Sequence, residues 1–321
     1  MAEITFRTVE TNGINMHFAE AGSGPLVIMC HGFPESWYSW RHQLRFLSDH
    51  GFHAVAPDQR GYGKTDAPED IGDYNIYQLV GDIVGLVHAL EEESAVIVGH
   101  DWGSPVAWNS AMMRPDLFRA VASCSVPTSP RGSQAPLQAI KNLFGDNFFY
   151  QLYFQTPGVA EHELQNNPAL TMRKMLFGAS GAVNRGNFLQ PANPAHKSAF
   201  MLERMPDPGD DLPAWLTKED LEFFTNEFAR TGFRGGLNWY RNIDRNWEIT
   251  GAFQGKKINQ PALFITGDRD VVPYNEQAGN AMRFQVPNLT KTVVLPGIGH
   301  WTQQEAPDDV NRELLEFLQS I

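Results

Sequence analysis

The chain of 321 residues predicts an α/β fold, a mostly parallel central sheet covered by helices on both faces and interrupted by one long helical insertion. Three observations carry that prediction. Short apolar runs of strand length alternate with helix-length amphipathic segments up to about residue 126. The alternation stops from Pro127 to about Asn246, where no run reads as a buried strand. It resumes from Pro261 onward. With 42% hydrophobic residues, a chain this long can bury a large core, either as one big domain or as a domain carrying an insertion.

The elements follow in order. Ile4 to Val9 and Ile14 to Ala19 alternate in polarity around Thr11-Asn12-Gly13, a turn signal, so they read as an antiparallel hairpin at the sheet edge. Leu26-Val27-Ile28-Met29-Cys30 is a buried strand that runs into the loop His31-Gly32-Phe33-Pro34. Ser39 to His50 is helical and stops at Gly51. His53 to Pro57 is the next strand and feeds the loop Asp58 to Thr65. Between Asn75 and Leu90, residues Ile76, Leu79, Val80, Ile83, Val84 and Val87 share one helical face. Ala95 to Val98 is a strand buried on both faces, followed by a glycine-flanked turn, a helix and the strand Ala120 to Val126. The insertion is rich in Phe, Tyr, Met, Asn and Pro, with helices expected near Leu137 to Phe154 and Lys218 to Ala229. The last elements are a strand ending at Gly267, a strand at Thr292 to Leu295, and a helix from Asp308 to Leu318 whose apolar face holds Val310, Leu314 and Leu318. The expected division is therefore core at 1–130, lid at 131–246 and core again at 247–321.

Composition narrows the function classes. A formal charge of −12 repels a phosphate backbone, so nucleic acid is not an expected partner. The two cysteines, Cys30 and Cys124, lie in apolar runs, which points to core packing in a reducing compartment and leaves too few thiols for a thiolate metal site. The first residues lack a basic region followed by an apolar one, and no window has the length and apolarity of a membrane span, so a cytoplasmic protein without a membrane partner is expected.

The chemistry centres on Gly99-His100-Asp101-Trp102-Gly103. A strand runs into this stretch and a helix leaves it, and the two glycines permit a sharp corner with Asp101 at its tip. Where such corners carry a serine nucleophile, this one carries a carboxylate, whose attack would leave an ester on Asp101. The alternative is that Asp101 caps the following helix. Two further polar residues, Asp270 and His300, follow later strands. In an open parallel sheet, groups beyond the carboxyl ends of the strands converge, so both would approach Asp101, with Asp270 orienting His300 and His300 deprotonating a water. Asp270 could instead serve a turn, with Asp268 as its rival, and a histidine after a glycine could simply bond backbone. His31 and His100 also end strands, where a structural role is expected. Gly63-Lys64-Thr65 does not make a phosphate loop, because Asp58 stands where a glycine is needed.

These residues, together with His31-Gly32-Phe33-Pro34, Arg60-Gly61-Tyr62-Gly63, Tyr150-Gln151-Leu152-Tyr153-Phe154-Gln155, Pro157-Gly158, Asn238-Trp239-Tyr240-Arg241-Asn242 and Gly299-His300-Trp301, resemble the soluble epoxide hydrolases of the α/β-hydrolase fold over nearly the whole chain. The resemblance implies that Tyr150 and Tyr240 hold the epoxide oxygen and that the amides of Phe33 and Trp102 form an oxyanion hole. It also implies a cis peptide before Pro34. A phenol with a pKa of about 10 can donate to a developing alkoxide at neutral pH. Tyr153 and most of the phenylalanines read as packing. Phe33, Trp102, Phe154 and Trp301 would line an apolar cleft, with Pro34 and Gln151 also at the substrate. One departure from the family pattern is Thr65, where members often carry serine, and it puts nothing catalytic in doubt. The implied substrate is a small apolar epoxide with water, converted without cofactor or metal by a monomer or homodimer, in a detoxifying role. A haloalkane dehalogenase would use the same Asp101 and His300 chemistry but needs a side-chain halide donor where Phe33 stands. A serine esterase is ruled out by position 101, and a non-catalytic receptor of the same fold would not need the triad and both tyrosines.

Overall fold

The computed structural model describes residues 3–183 and 200–321. Among the described residues eight strands form one sheet: β1 (Thr5–Thr11), β2 (Ile14–Ala21), β3 (Leu26–Cys30), β4 (His53–Pro57), β5 (Ala95–His100), β6 (Phe118–Cys124), β7 (Ala262–Gly267) and β8 (Leu289–Leu295). Their spatial order is β1-β2-β4-β3-β5-β6-β7-β8. The β1–β2 and β2–β4 pairs are antiparallel, and every other neighbour is parallel. Asn12 and Gly13 both have positive φ, 45° and 76°, the geometry of a two-residue turn that pairs Thr11 with Ile14.

Helices α1 (Arg41–Asp49), α2 (Ile76–Ala89) and α3 (Gly103–Met113) connect the first strands. Asn75 caps α2 by accepting from the amides of Tyr77 and Gln78, which explains why the expected helix begins where it does. Between β6 and β7 the described residues contain helices and no strand: α4 (Pro136–Phe144), α5 (Tyr150–Tyr153), α6 (Val159–Asn166), α7 (Pro168–Gly178), α8 (Lys218–Thr231), α9 (Arg234–Arg241) and α10 (Ile243–Ile249). The part of the expected lid at 184–199 lies outside the described residues. After β7 come α11 (Glu276–Gln285), α12 (Thr302–Glu305) and α13 (Pro307–Gln319).

Successive residues of the central strands face opposite cores. Ile28, Cys30 and Ile97 pack with α2 and α3, whereas Val27, Met29, Val96 and Val98 pack with α1 and α13. Such two-sided burial is why these runs read as continuous apolar stretches rather than alternating ones.

Several elements differ from expectation. The stretch expected as helix from Leu137 to Phe154 is divided, because α4 ends at Gly145 with φ 57° and α5 starts afresh at Tyr150. β6 starts and ends two residues early, and β8 begins at Leu289. The strand that leads to the elbow continues through Gly99 to His100. Helices α6, α7, α9, α10 and α11 were not anticipated. Most are short, and in the insertion they pack against other helices rather than presenting one long apolar stripe to a sheet.

Candidate active site

The corner after β5 forms as its glycines require. Asp101 has φ 47°, a left-handed conformation that a non-glycine residue adopts only where the surroundings impose it. A Cβ on Gly99 would run into the carbonyl oxygen of Gly103 and stand 2.7 Å from Ser104 Cα, and one on Gly103 would run into the carbonyl oxygen of Cys30. Only glycine lets β5, α3 and the end of β3 meet there.

The Asp101 side chain does not cap α3, whose N-terminus has no side-chain cap. Its Oδ1 accepts from the Phe33 amide at 2.7 Å, and its Oδ2 lies 3.3 Å from His300 Nε2. Asp270 Oδ1 faces His300 Nδ1 at 2.9 Å and also accepts from the Val272 amide at 2.8 Å. Asp268, the rival, is exposed and accepts from the Gly297 amide at 2.7 Å instead. The ends of β3, β5, β7 and β8 thus bring Phe33, Asp101, Asp270 and His300 together. Burial alone would lower the basicity of His300. Asp270 and Asp101 outweigh it, and its pKa stands well above the ordinary histidine value.

The other two strand-end histidines are tied into the scaffold. His31 Nδ1 bonds the Gly32 carbonyl at 2.8 Å, and its Nε2 accepts from the Gln59 amide at 3.1 Å. His100 Nδ1 meets Glu35 Oε2 at 2.7 Å, and its Nε2 bonds the His300 carbonyl, also at 2.7 Å. Glu35, not anticipated from the sequence, is completely buried, and its charge is held by the Gly32 amide, His100, Gln303 and Gln304. Despite burial, which raises a carboxyl pKa, the neighbouring His100 brings it down to about 2. A lone glutamate after a proline in a loop carries no signal of this role, since its partners are up to 269 residues away.

Helices α5 and α9 deliver the two tyrosines. The rings of Tyr150 and Tyr240 are 5.9 Å apart, and Tyr240 packs against Phe33 at 5.5 Å, Trp102 at 5.1 Å and Phe154 at 5.0 Å. Burial first, and then the charge of Asp101, push both phenol pKa values above the ordinary tyrosine value, so both keep their protons at neutral pH. Gln151 donates to the Tyr150 hydroxyl at 3.1 Å, and Gln155 donates to the Tyr240 carbonyl at 3.1 Å, joining α5 to α9. Phe33 and Phe154 are both buried at this cluster, their rings 5.9 Å apart, and the Phe33–Pro34 peptide is cis. Trp301 is buried, with its ring 5.0 Å from that of His300 and its indole N–H donating to the Leu176 carbonyl at 2.7 Å.

The arrangement holds a carboxylate with one oxygen against a backbone donor and the other against a histidine, in an aromatic setting that contains two neutral phenols. That set can attack an electrophilic carbon, protonate the leaving oxygen and activate water, all with side chains.

A model of the alpha/beta hydrolase fold matches residues 25–307. The chain is 46% identical to epoxide hydrolase A of Mycobacterium tuberculosis, over 100% of this chain and 99% of that protein. It is 41% identical to epoxide hydrolase 1 of Siraitia grosvenorii over all of both chains. The crystal structure of epoxide hydrolase A from Mycobacterium thermoresistibile superposes with a TM-score of 0.90 at 46% identity, covering 99% of this chain and 98% of that one. Full-length identity of this order, on a matching fold, makes the chain a member of the epoxide hydrolases of the alpha/beta hydrolase fold.

Proposed function

We propose that the protein opens small apolar epoxides to vicinal diols in two steps, through an ester on Asp101. The observation that carries this reading is the division of the Asp101 carboxylate, with Oδ1 on the Phe33 amide and Oδ2 facing His300. Oδ2 attacks an epoxide carbon and the C–O bond breaks, while Tyr150 and Tyr240 hydrogen-bond the departing oxygen and supply its proton. Oδ1, left as the ester carbonyl oxygen, already occupies the position where an oxyanion would form, with the Phe33 and Trp102 amides as the donors that stabilise it.

Alkylation also prepares the second step. Part of what raises the His300 pKa is the negative charge of Asp101, and the ester has none, so His300 becomes a weaker acceptor of a resident proton and is freed to act as base. Held by Asp270, His300 takes a proton from water as the hydroxide adds to the ester carbonyl. The tetrahedral intermediate collapses by breaking the bond to the diol oxygen, which takes that proton back from His300, and the proton left on the Asp101 carboxyl restores the tyrosine that gave its own in the first step. Pro34, Gln151, Phe154 and Trp301 shape the site around the substrate. The insertion acts as a lid spanning 131–246 between the core segments 1–130 and 247–321. No cofactor enters the scheme. Among the described residues no helix is long and apolar enough to cross a membrane. We place the protein in the cytoplasm as a monomer or homodimer that detoxifies reactive epoxides.

The test is a single turnover in water labelled with heavy oxygen. The scheme puts solvent oxygen into Asp101 and an old carboxylate oxygen into the diol, and His300→Gln accumulates an adduct of one substrate mass on the peptide containing Asp101. Label in the diol on the first turnover, with no adduct in the variant, would overturn it. Halide release from haloalkanes without diol formation from epoxides would favour a dehalogenase.

A further inference from the structure

We infer that Glu305 is a positioning residue for the hydrolytic step, clamping the loop of His300 to the end of α7 so that the seam between insertion and core sets the aim of the base. The inference rests on the reading that His300 activates water.

A helix leaves its last carbonyls without intrahelical partners, and at the end of α7 the core supplies the donors. The Leu176 carbonyl accepts from the Trp301 indole, and the Ala179 carbonyl accepts from the His300 amide at 2.9 Å. Glu305, the last residue of α12, closes the seam in the opposite sense. Its Oε2 accepts from the Gly181 amide at 2.8 Å, the Gly299 amide at 3.1 Å and the Ser180 hydroxyl at 3.2 Å, and its Oε1 accepts from the Trp301 amide at 3.1 Å. One carboxylate therefore grips the residues on both sides of His300 and two consecutive residues of the insertion. The backbones nearly touch, since a Cβ on Gly181 would run into the Gly297 carbonyl and stand 2.7 Å from the Gly299 nitrogen. Arg269 reinforces the join by donating to the Gly181 carbonyl at 2.8 Å, and the Trp215 indole donates to Ser180 Oγ at 3.0 Å.

The rest of His300 is held from the core. Its carbonyl accepts from His100 Nε2 and Ser125 Oγ, both at 2.7 Å, and its ring is set by Asp270. The direction of Nε2 thus depends on a core contact at the carbonyl and an insertion contact at the amide, with Glu305 bracing the latter. The bonds that break and form in the first step involve Asp101 and the phenols, which Glu305 does not touch. Loosening the clamp should therefore weaken the base before it weakens the nucleophile. Displacing a catalytic group by about 1 Å can cost on the order of 100-fold in rate.

Glu305→Gln is the informative substitution. A carboxylate accepts on both oxygens, but an amide must turn its NH2 group either toward Gly181 and Gly299 or toward Trp301, opposing donor to donor. We expect ester hydrolysis to slow by roughly 10- to 100-fold with alkylation kept within about 3-fold, so that the Asp101 adduct builds up in rapid-quench single turnovers. A simple loss of structure would lower both rates together. Ser180→Ala, which removes one donor from Glu305 with little change in bulk, should shift the same ratio in the same direction by about 3-fold and serves if Glu305→Gln does not fold. His300→Gln runs alongside. If it accumulates no adduct, the two-step reading fails. If it does and the folded Glu305→Gln enzyme hydrolyses its ester at the wild-type rate, or loses both steps equally, only the clamp is refuted. An unchanged ratio in Ser180→Ala refutes it likewise where Glu305→Gln does not fold.

Discussion

Removing the Tyr240 hydroxyl isolates one hydrogen bond in the proposed ring-opening step. The ring of Tyr240 is buried and enclosed by Phe33, Trp102 and Phe154 at centroid distances of 5.0–5.5 Å, contacts that phenylalanine keeps. Tyr240→Phe should therefore fold as the wild type does, and its effect should report the lost donor. A preorganised donor to a developing oxyanion contributes about 3–4 kcal/mol, or roughly 10²- to 10³-fold in rate. Burial, and after it the Asp101 charge, keep the phenol protonated, so the loss should be constant through the neutral range. Tyr150→Phe should cost a similar factor. There Gln151 also loses an acceptor, so a small further loss of order in α5 is expected. The double variant should fall below either. Single-turnover mixing followed by acid quench separates formation of the ester from its breakdown. Only formation should slow, and breakdown of ester already formed should proceed at about the wild-type rate. A double variant that forms the ester at the wild-type rate would refute the role of both phenols.

Asp270→Asn removes the larger of the two attractions on His300, so the imidazole pKa falls. The acid limb of the hydrolysis rate should then move to lower pH by roughly one unit or more, with a lower plateau because the ring is less firmly oriented. A pH profile of single-turnover ester breakdown measures both effects, and a limb that stays in place or moves to higher pH would contradict the assignment. Gly99→Ala places a Cβ in the Gly103 carbonyl and 2.7 Å from Ser104 Cα, so it should destabilise the fold by about 1–3 kcal/mol or more and lower the melting temperature by several degrees. An unchanged melting curve would mean that the corner can relax. Prolonged treatment with a strong chelator should leave turnover of an apolar epoxide unaltered, because each proposed step uses a side chain. Its loss on chelation and return on adding metal would require another scheme.

Much of this molecule is written in local pattern. The tight turn at Asn12-Gly13, the uninterrupted apolar strands and the amphipathic run from Ile76 report nearest-neighbour sterics and burial, which a few adjacent residues determine. The elbow is equally local, since the two glycines around Asp101 are what a strand-to-helix corner needs. Asp270 and His300 could be placed near it because a parallel sheet gathers the ends of its strands on one edge. Tyr150 and Tyr240 came from resemblance alone, as nothing in an aromatic-rich insertion distinguishes a donor from packing.

Other features were settled only by the folded chain. Whether Asp268 or Asp270 faces His300, and whether Asp101 caps α3 or meets Phe33, are choices between side-chain directions that local pattern leaves equal. The short insertion helices owe their boundaries to mutual packing and to caps such as Asn167. Glu35 and Glu305 are the extreme case. Each is an ordinary glutamate in sequence, and each acquires its place by accepting hydrogen bonds from groups more than 100 residues away as well as from near neighbours. A buried charge persists only where enough donors converge on it, and that convergence is a property of the tertiary structure.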